Sequence, residues 1–92
     1  MYNIVTNAII FNDYTNNKRM FAEVVEDDRH PKGHHIVTSN VISVNKEKGV
    51  VITENTEYHV ERFFTKEQFI EYIESNYEPS IAQYYKECAN IF

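Results

Sequence analysis

The strongest constraint in this chain is a change of hydrophobic period near residue 64. Upstream, short β-branched runs alternate with turn clusters; downstream, apolar residues recur only at helical spacing. Strands followed by helices, rather than interleaved with them, point to an α+β domain and away from a doubly wound parallel sheet. The expected architecture is an antiparallel sheet of four to five strands, a meander, followed by two C-terminal helices packed on one face. At 92 residues the chain has the length of a single domain, 1–92. It carries 42% hydrophobic and 14% aromatic residues, too apolar for disorder. One cysteine, Cys88, excludes an intrachain disulfide, so packing alone must hold the fold.

Five strand segments are expected, over residues 2–11, 20–25, 36–44, 50–53 and 58–63. In the third, the polar interruption Thr38-Ser39-Asn40 suggests a bulge or an edge position. The clearest turn is Asn45-Lys46-Glu47-Lys48-Gly49, where Gly49 can supply a positive φ. From Tyr58 onward, Tyr58 and Val60 alternate with His59 and Glu61, as in a half-buried strand. Thr65-Lys66-Glu67-Gln68 matches a capping box, with Phe69, Ile70, Ile73 and Tyr77 forming the apolar stripe; Asn76 or Pro79 should end that helix. Ser80-Ile81-Ala82-Gln83 repeats the box ahead of Ile81, Tyr84, Tyr85 and Cys88. The apolar pair Ile91-Phe92 is expected to dock on the sheet or on a partner.

Composition removes several classes of function. Fourteen acidic residues against nine basic ones leave a net charge of −5, which argues against direct nucleic-acid binding. Only two glycines are present, so no Gly-rich phosphate cradle can form. No basic, apolar leader and no run of about 18 apolar residues occurs, so neither secretion nor a membrane span is expected, and a cytoplasmic location is. Residue usage favours Asn, Ile, Tyr, Lys and Glu, which A/T-rich codons encode, consistent with a bacterial or phage genome.

The segment Asp27-Asp28-Arg29-His30-Pro31-Lys32-Gly33-His34-His35 concentrates three of the four histidines beside carboxylates. Imidazole and carboxylate suit zinc, nickel or iron, and His59 is a candidate further ligand. The spacing of His30, His34 and His35 fits no ligand signature, because Pro31 and Gly33 oppose the helix that would align them. Neither a metal nor another cofactor is expected. The same groups, with Lys32 and Arg29, are the parts of a ribonuclease-like phosphodiesterase. As strand neighbours, however, His34 and His35 would face opposite ways. No catalytic residue is assigned, and a non-enzymatic role is favoured.

The carboxylates form the more suggestive pattern. Glu67, Glu71, Glu74 and Glu78 recur at i, i+4, i+7 and i+11, along one side of the first helix. Such a row complements a basic protein surface, including one that normally holds nucleic acid. It is also what any solvated helix face looks like. Seven Tyr and six Phe exceed what a small core hides, and Tyr72 and Tyr77 are candidate anchors for a protein partner. A homodimer held by Tyr84, Tyr85, Ile91 and Phe92 is a further possibility.

In general character the chain resembles the small inhibitors that phages and mobile elements carry against bacterial defence, anti-CRISPR proteins among them. The resemblance rests on one short acidic domain rich in Asn and Tyr, the runs Val41-Ile42-Ser43-Val44 and Val50-Val51-Ile52-Thr53, and the acidic helix from Thr65. It implies a non-enzymatic blocker of an effector complex, and it carries over no functional residue.

Overall fold

The computed structural model describes residues 3–88. Its elements are β1 (Ile4–Asn12), β2 (Lys18–Glu26), β3 (His35–Val37), β4 (Val41–Asn45), β5 (Val50–Thr53), β6 (Glu57–Val60), α1 (Lys66–Asn76) and α2 (Pro79–Glu87). The fold is α+β, as the change of period implies. The sheet differs from the expected antiparallel four to five strands: it has six, in the order β3-β2-β1-β6-β5-β4. Four of the five strand pairings are antiparallel and make two ordinary meanders, but β1 and β6 run parallel, with Ile4 opposite His59 and Val5 opposite Val60. Two three-stranded antiparallel meanders are thus joined through one parallel seam.

The extra strand arises at Thr38-Ser39-Asn40. These residues form no bulge; they divide the expected third strand into β3 and β4, which occupy opposite edges of the sheet, so the edge expectation holds for both halves. Four Cα steps from Val37 to Val41 reach at most about 14 Å. A flat sheet of six strands would place its edges about 24 Å apart at the usual strand spacing. The sheet must therefore curl, and β2 comes into contact with β4. Thr38 pins the link: its amide donates to the Met20 carbonyl at 2.9 Å, and its hydroxyl accepts from the Met20 amide at 3.1 Å and donates to the Ser39 carbonyl at 2.9 Å. At the other side, the Asn40 carbonyl accepts from the Glu54 amide at 3.1 Å.

Curling creates two cores. The concave one holds Val5, Ala8, Ile10, Met20 and Ala22 against Val41, Val51, Tyr58 and Val60. On the convex side, Ile9, Phe11 and Phe21 meet Phe64, Phe69, Ile73, Ala82, Tyr85 and Cys88. β1 lies between them, so Ala8, Ile9, Ile10 and Phe11 are all buried, as a strand covered on both faces requires. Asn7, at φ 51°, marks the irregularity that shifts the β1–β2 register between Thr6 and Ile9.

The helix signals divide. Thr65 caps α1 through the expected box, its hydroxyl accepting from the Gln68 amide at 3.1 Å and its own amide donating to Gln68 Oε1 at 3.0 Å. Helix α1 ends at Asn76. The second box does not form, because Pro79 occupies the first helical position and moves the cap to Glu78, which makes no side-chain capping bond. Ser80 then lies inside the first turn. The final strand is also shorter than residues 58–63: β6 stops at Val60, and Phe63 makes an isolated parallel bridge with Ala8. Tyr2 and the expected docking of Ile91-Phe92 lie outside the described residues. Among the described residues no helix is long and apolar enough to cross a membrane.

Candidate functional site

Helix α1 turns Phe69 and Ile73 into the convex core, and this orientation leaves Glu67, Glu71 and Glu74 exposed on its other side. Glu78, also exposed, leaves that face: α1 ends at Asn76 and Tyr77 and Glu78 are extended, so the expected i+11 position falls at the N-cap of α2. The i, i+4, i+7 spacing therefore becomes a row of carboxylates on the surface. Glu74 Oε2 accepts from Lys86 Nζ at 2.6 Å, an exposed pair that ties α1 to α2. Surface pairs of this kind contribute little stability, about 0.2–1 kcal/mol.

Tyr72 and Tyr77 are placed together, in a way the helical stripe does not reveal. Their hydroxyls converge on opposite nitrogens of His35, Tyr72 at 2.6 Å from Nε2 and Tyr77 at 2.9 Å from Nδ1. The His35 ring also stacks on Phe21, with centroids 5.4 Å apart and an interplanar angle of 18°. Both tyrosines are half-buried, and burial raises both phenol pKa values. Their hydroxyls thus bind within the molecule. Tyr85, in the core, has its phenol pushed up to about 12, chiefly by burial. Tyr84 is half-buried and meets Tyr14 edge-on at 4.8 Å.

The histidines separate. His30 and His34 line a groove beside β3, whereas His59 lies in a second depression with Asn3, Asp28 and Glu57. His59 Nε2 is 3.3 Å from Glu57 Oε2. His35 also borders the groove, but both of its nitrogens are engaged by tyrosines. Among the described residues no three His, Cys, Asp or Glu side chains are grouped to hold a metal ion. His59 does not join the other three, because β6 and the loop before β3 belong to different meanders.

One constellation was not foreseen. Asp27 accepts from the Arg29 backbone amide at 2.7 Å, an Asx turn that folds the loop after β2 back on itself. The Arg29 guanidinium then lies across Asp27, Thr56 and Tyr58: Nε is 3.4 Å from Asp27 Oδ1, and Nη2 is 3.4 Å from Thr56 Oγ1 and 3.3 Å from the Tyr58 hydroxyl. Burial would raise the Asp27 pKa, but the Arg29 amide and guanidinium outweigh it and the net shift is downward. The Asp27-x-Arg29 spacing is a signal for the turn; nothing local in sequence points to Tyr58. Cys88 is buried in the convex core, and burial pushes its thiol pKa up, the opposite of an activated nucleophile.

No protein family, curated protein or solved structure matches this chain.

Proposed function

We propose that this protein is a small acidic, non-enzymatic binding protein that occupies a basic surface of a protein partner, as an anti-CRISPR-like phage or mobile-element inhibitor would occupy a nucleic-acid-binding or subunit surface of a defence complex. Support comes from one observation: Glu67, Glu71 and Glu74 are exposed along the face of α1 whose opposite side is locked into the core, and Glu78 is exposed just beyond that helix, at the cap of α2. The core fixes the direction of that face, so its charge is presented on a rigid element rather than a mobile tail. Complementary charge of this kind accelerates encounter and selects partners more than it adds affinity. Tyr72, beside Phe64, Gln68 and Glu71 in a shallow depression, and Tyr77, beside Ile81, supply apolar edges next to the carboxylates.

The test is affinity capture from the natural host with wild type and the Glu71→Lys/Glu74→Lys double variant, followed by measured binding of the recovered partner. The variant should lose at least roughly tenfold in affinity, chiefly through a slower on-rate, and the wild-type complex should weaken steeply with salt. Thermal stability should change little, because among the described residues the variant removes only the exposed pair with Lys86. A partner held equally by both proteins, with no salt dependence, would exclude the acidic face as the binding surface.

A further inference from the structure

The groove beside β3 has a volume of about 420 Å³, within the usual range for small-molecule sites. One wall is the loop after β2, carrying Arg29, His30 and His34; the other is the β5–β6 turn, carrying Asn55 and Thr56, with Tyr58 beneath. Its donors are unusually well arranged. Contacts of 3.3–3.5 Å orient Arg29 Nε and Nη2 toward Asp27, Thr56 and Tyr58, while no described residue accepts from Nη1. The Thr56 side chain and the Tyr58 hydroxyl each accept from Arg29, so each keeps its own hydrogen for a further acceptor. Imidazoles of His30 and His34, both exposed, add donors at the rim. The single carboxylate bonded to Arg29, Asp27, has no exposed side-chain surface. Asp28 and Glu57 line an adjoining depression that shares Arg29, Asn55 and Thr56 with the groove.

A guanidinium oriented by its neighbours, two hydroxyl donors and nearby imidazoles, with the carboxylate bonded to Arg29 covered, make a receptor for a tetrahedral oxyanion. Ile36, Val37, Ser39 and Asn55 continue the groove beyond these donors and give an organic group a mixed apolar and amide surface. We infer that this groove binds a phosphate monoester, with Arg29 Nη1, Thr56 Oγ1 and the Tyr58 hydroxyl donating to its terminal oxygens. The site shares no residue with the acidic face of α1, so either can fail without the other.

The probes are adenosine 5′-monophosphate and inorganic phosphate, titrated at constant ionic strength into isotope-labelled protein and followed by amide chemical shifts. Saturable shifts confined to Arg29, His34, Thr56, Tyr58 and their neighbours, with the monoester tighter than inorganic phosphate, are expected. Arg29→Gln should weaken the monoester by roughly tenfold or more, and Tyr58→Phe by roughly three- to tenfold. If Arg29→Gln unfolds because Asp27 loses its partner, Tyr58→Phe decides the matter, since it keeps the buried ring. Shifts that never saturate, that spread over surface lysines, or that persist unchanged in Tyr58→Phe overturn the assignment; a monoester no tighter than inorganic phosphate overturns the ligand class.

Discussion

The curled sheet makes a sharp prediction at Gly49, with Gly33 as its control. Both glycines have positive φ, 68° at Gly49 and 89° at Gly33. An alanine at either site meets the left-handed backbone penalty of about 1 kcal/mol. At Gly33 nothing lies within 4 Å of the added Cβ, so the cost ends there. At Gly49 the Cβ would meet the Val60 carbonyl oxygen at 2.6 Å, and a backbone atom must move. That movement strains the bond in which the Val60 amide donates to the Gly49 carbonyl at 2.8 Å. Val60 is buried, so a weakened amide there adds about 1–3 kcal/mol. The totals are about 1 kcal/mol for Gly33→Ala and about 3 kcal/mol for Gly49→Ala. In a domain of this size they correspond to melting-point falls of roughly 4–8 °C and roughly 12–24 °C. Thermal and urea unfolding followed by circular dichroism measure both, and the urea slope should be unchanged. Equal losses in the two variants would mean that the β4–β5 turn does not close over β6, and the concave core would have to be redrawn.

Two further predictions concern titration. Asp13 accepts from the Thr15 hydroxyl at 2.7 Å, from Arg19 Nε at 2.6 Å and from the Asn17 amide at 2.9 Å, which together hold its carboxyl well below the usual range. A carboxylate depressed in the folded state stabilises above its unfolded pKa of about 3.9 and loses that contribution as pH falls below it. Wild type should therefore lose urea resistance more steeply than Asp13→Asn below about pH 4, and parallel curves would refute the Asp13 network. Cys88, buried with its pKa raised, should react with iodoacetamide at pH 8 at least roughly 100-fold more slowly than in denaturant. Comparable rates would place the thiol outside the convex core.

Features governed by a few neighbouring residues were legible in the sequence. The Thr65–Gln68 cap, the end of α1 at Asn76, the Gly49 turn and the acidic row each depend on contacts within one turn or one helix face. Features that depend on closure of the chain were not. Thr38-Ser39-Asn40 reads locally as a bulge, and only the pairing of β3 with β2 and of β4 with β5 makes it a link between edges. The parallel β1–β6 seam joins residues more than 50 positions apart, and no local periodicity encodes its direction. Likewise Arg29 and Tyr58 are 29 positions apart, so their hydrogen bond follows from the curl and not from any motif.

His35 connects the two surfaces that matter most. A neutral imidazole offers one donor and one acceptor, so of Tyr72 and Tyr77 one must donate to the ring and the other accept from it. Either tautomer satisfies both hydroxyls, and Glu23 Oε1 lies 3.9 Å from Nε2. In either state the ring fastens β3 to the C-terminal end of α1 and the residue that caps it. β3 is only three residues long and pairs on one side alone, with β2, so its own ladder is weak support for the groove it lines. The helices supply the rest. Packing α1 against Phe21 and His35 therefore does two things at once: it aims Glu67, Glu71 and Glu74 at solvent, and it steadies the strand beside Arg29. That double duty accounts for placing the tyrosine hydroxyls on a histidine rather than leaving them to solvent.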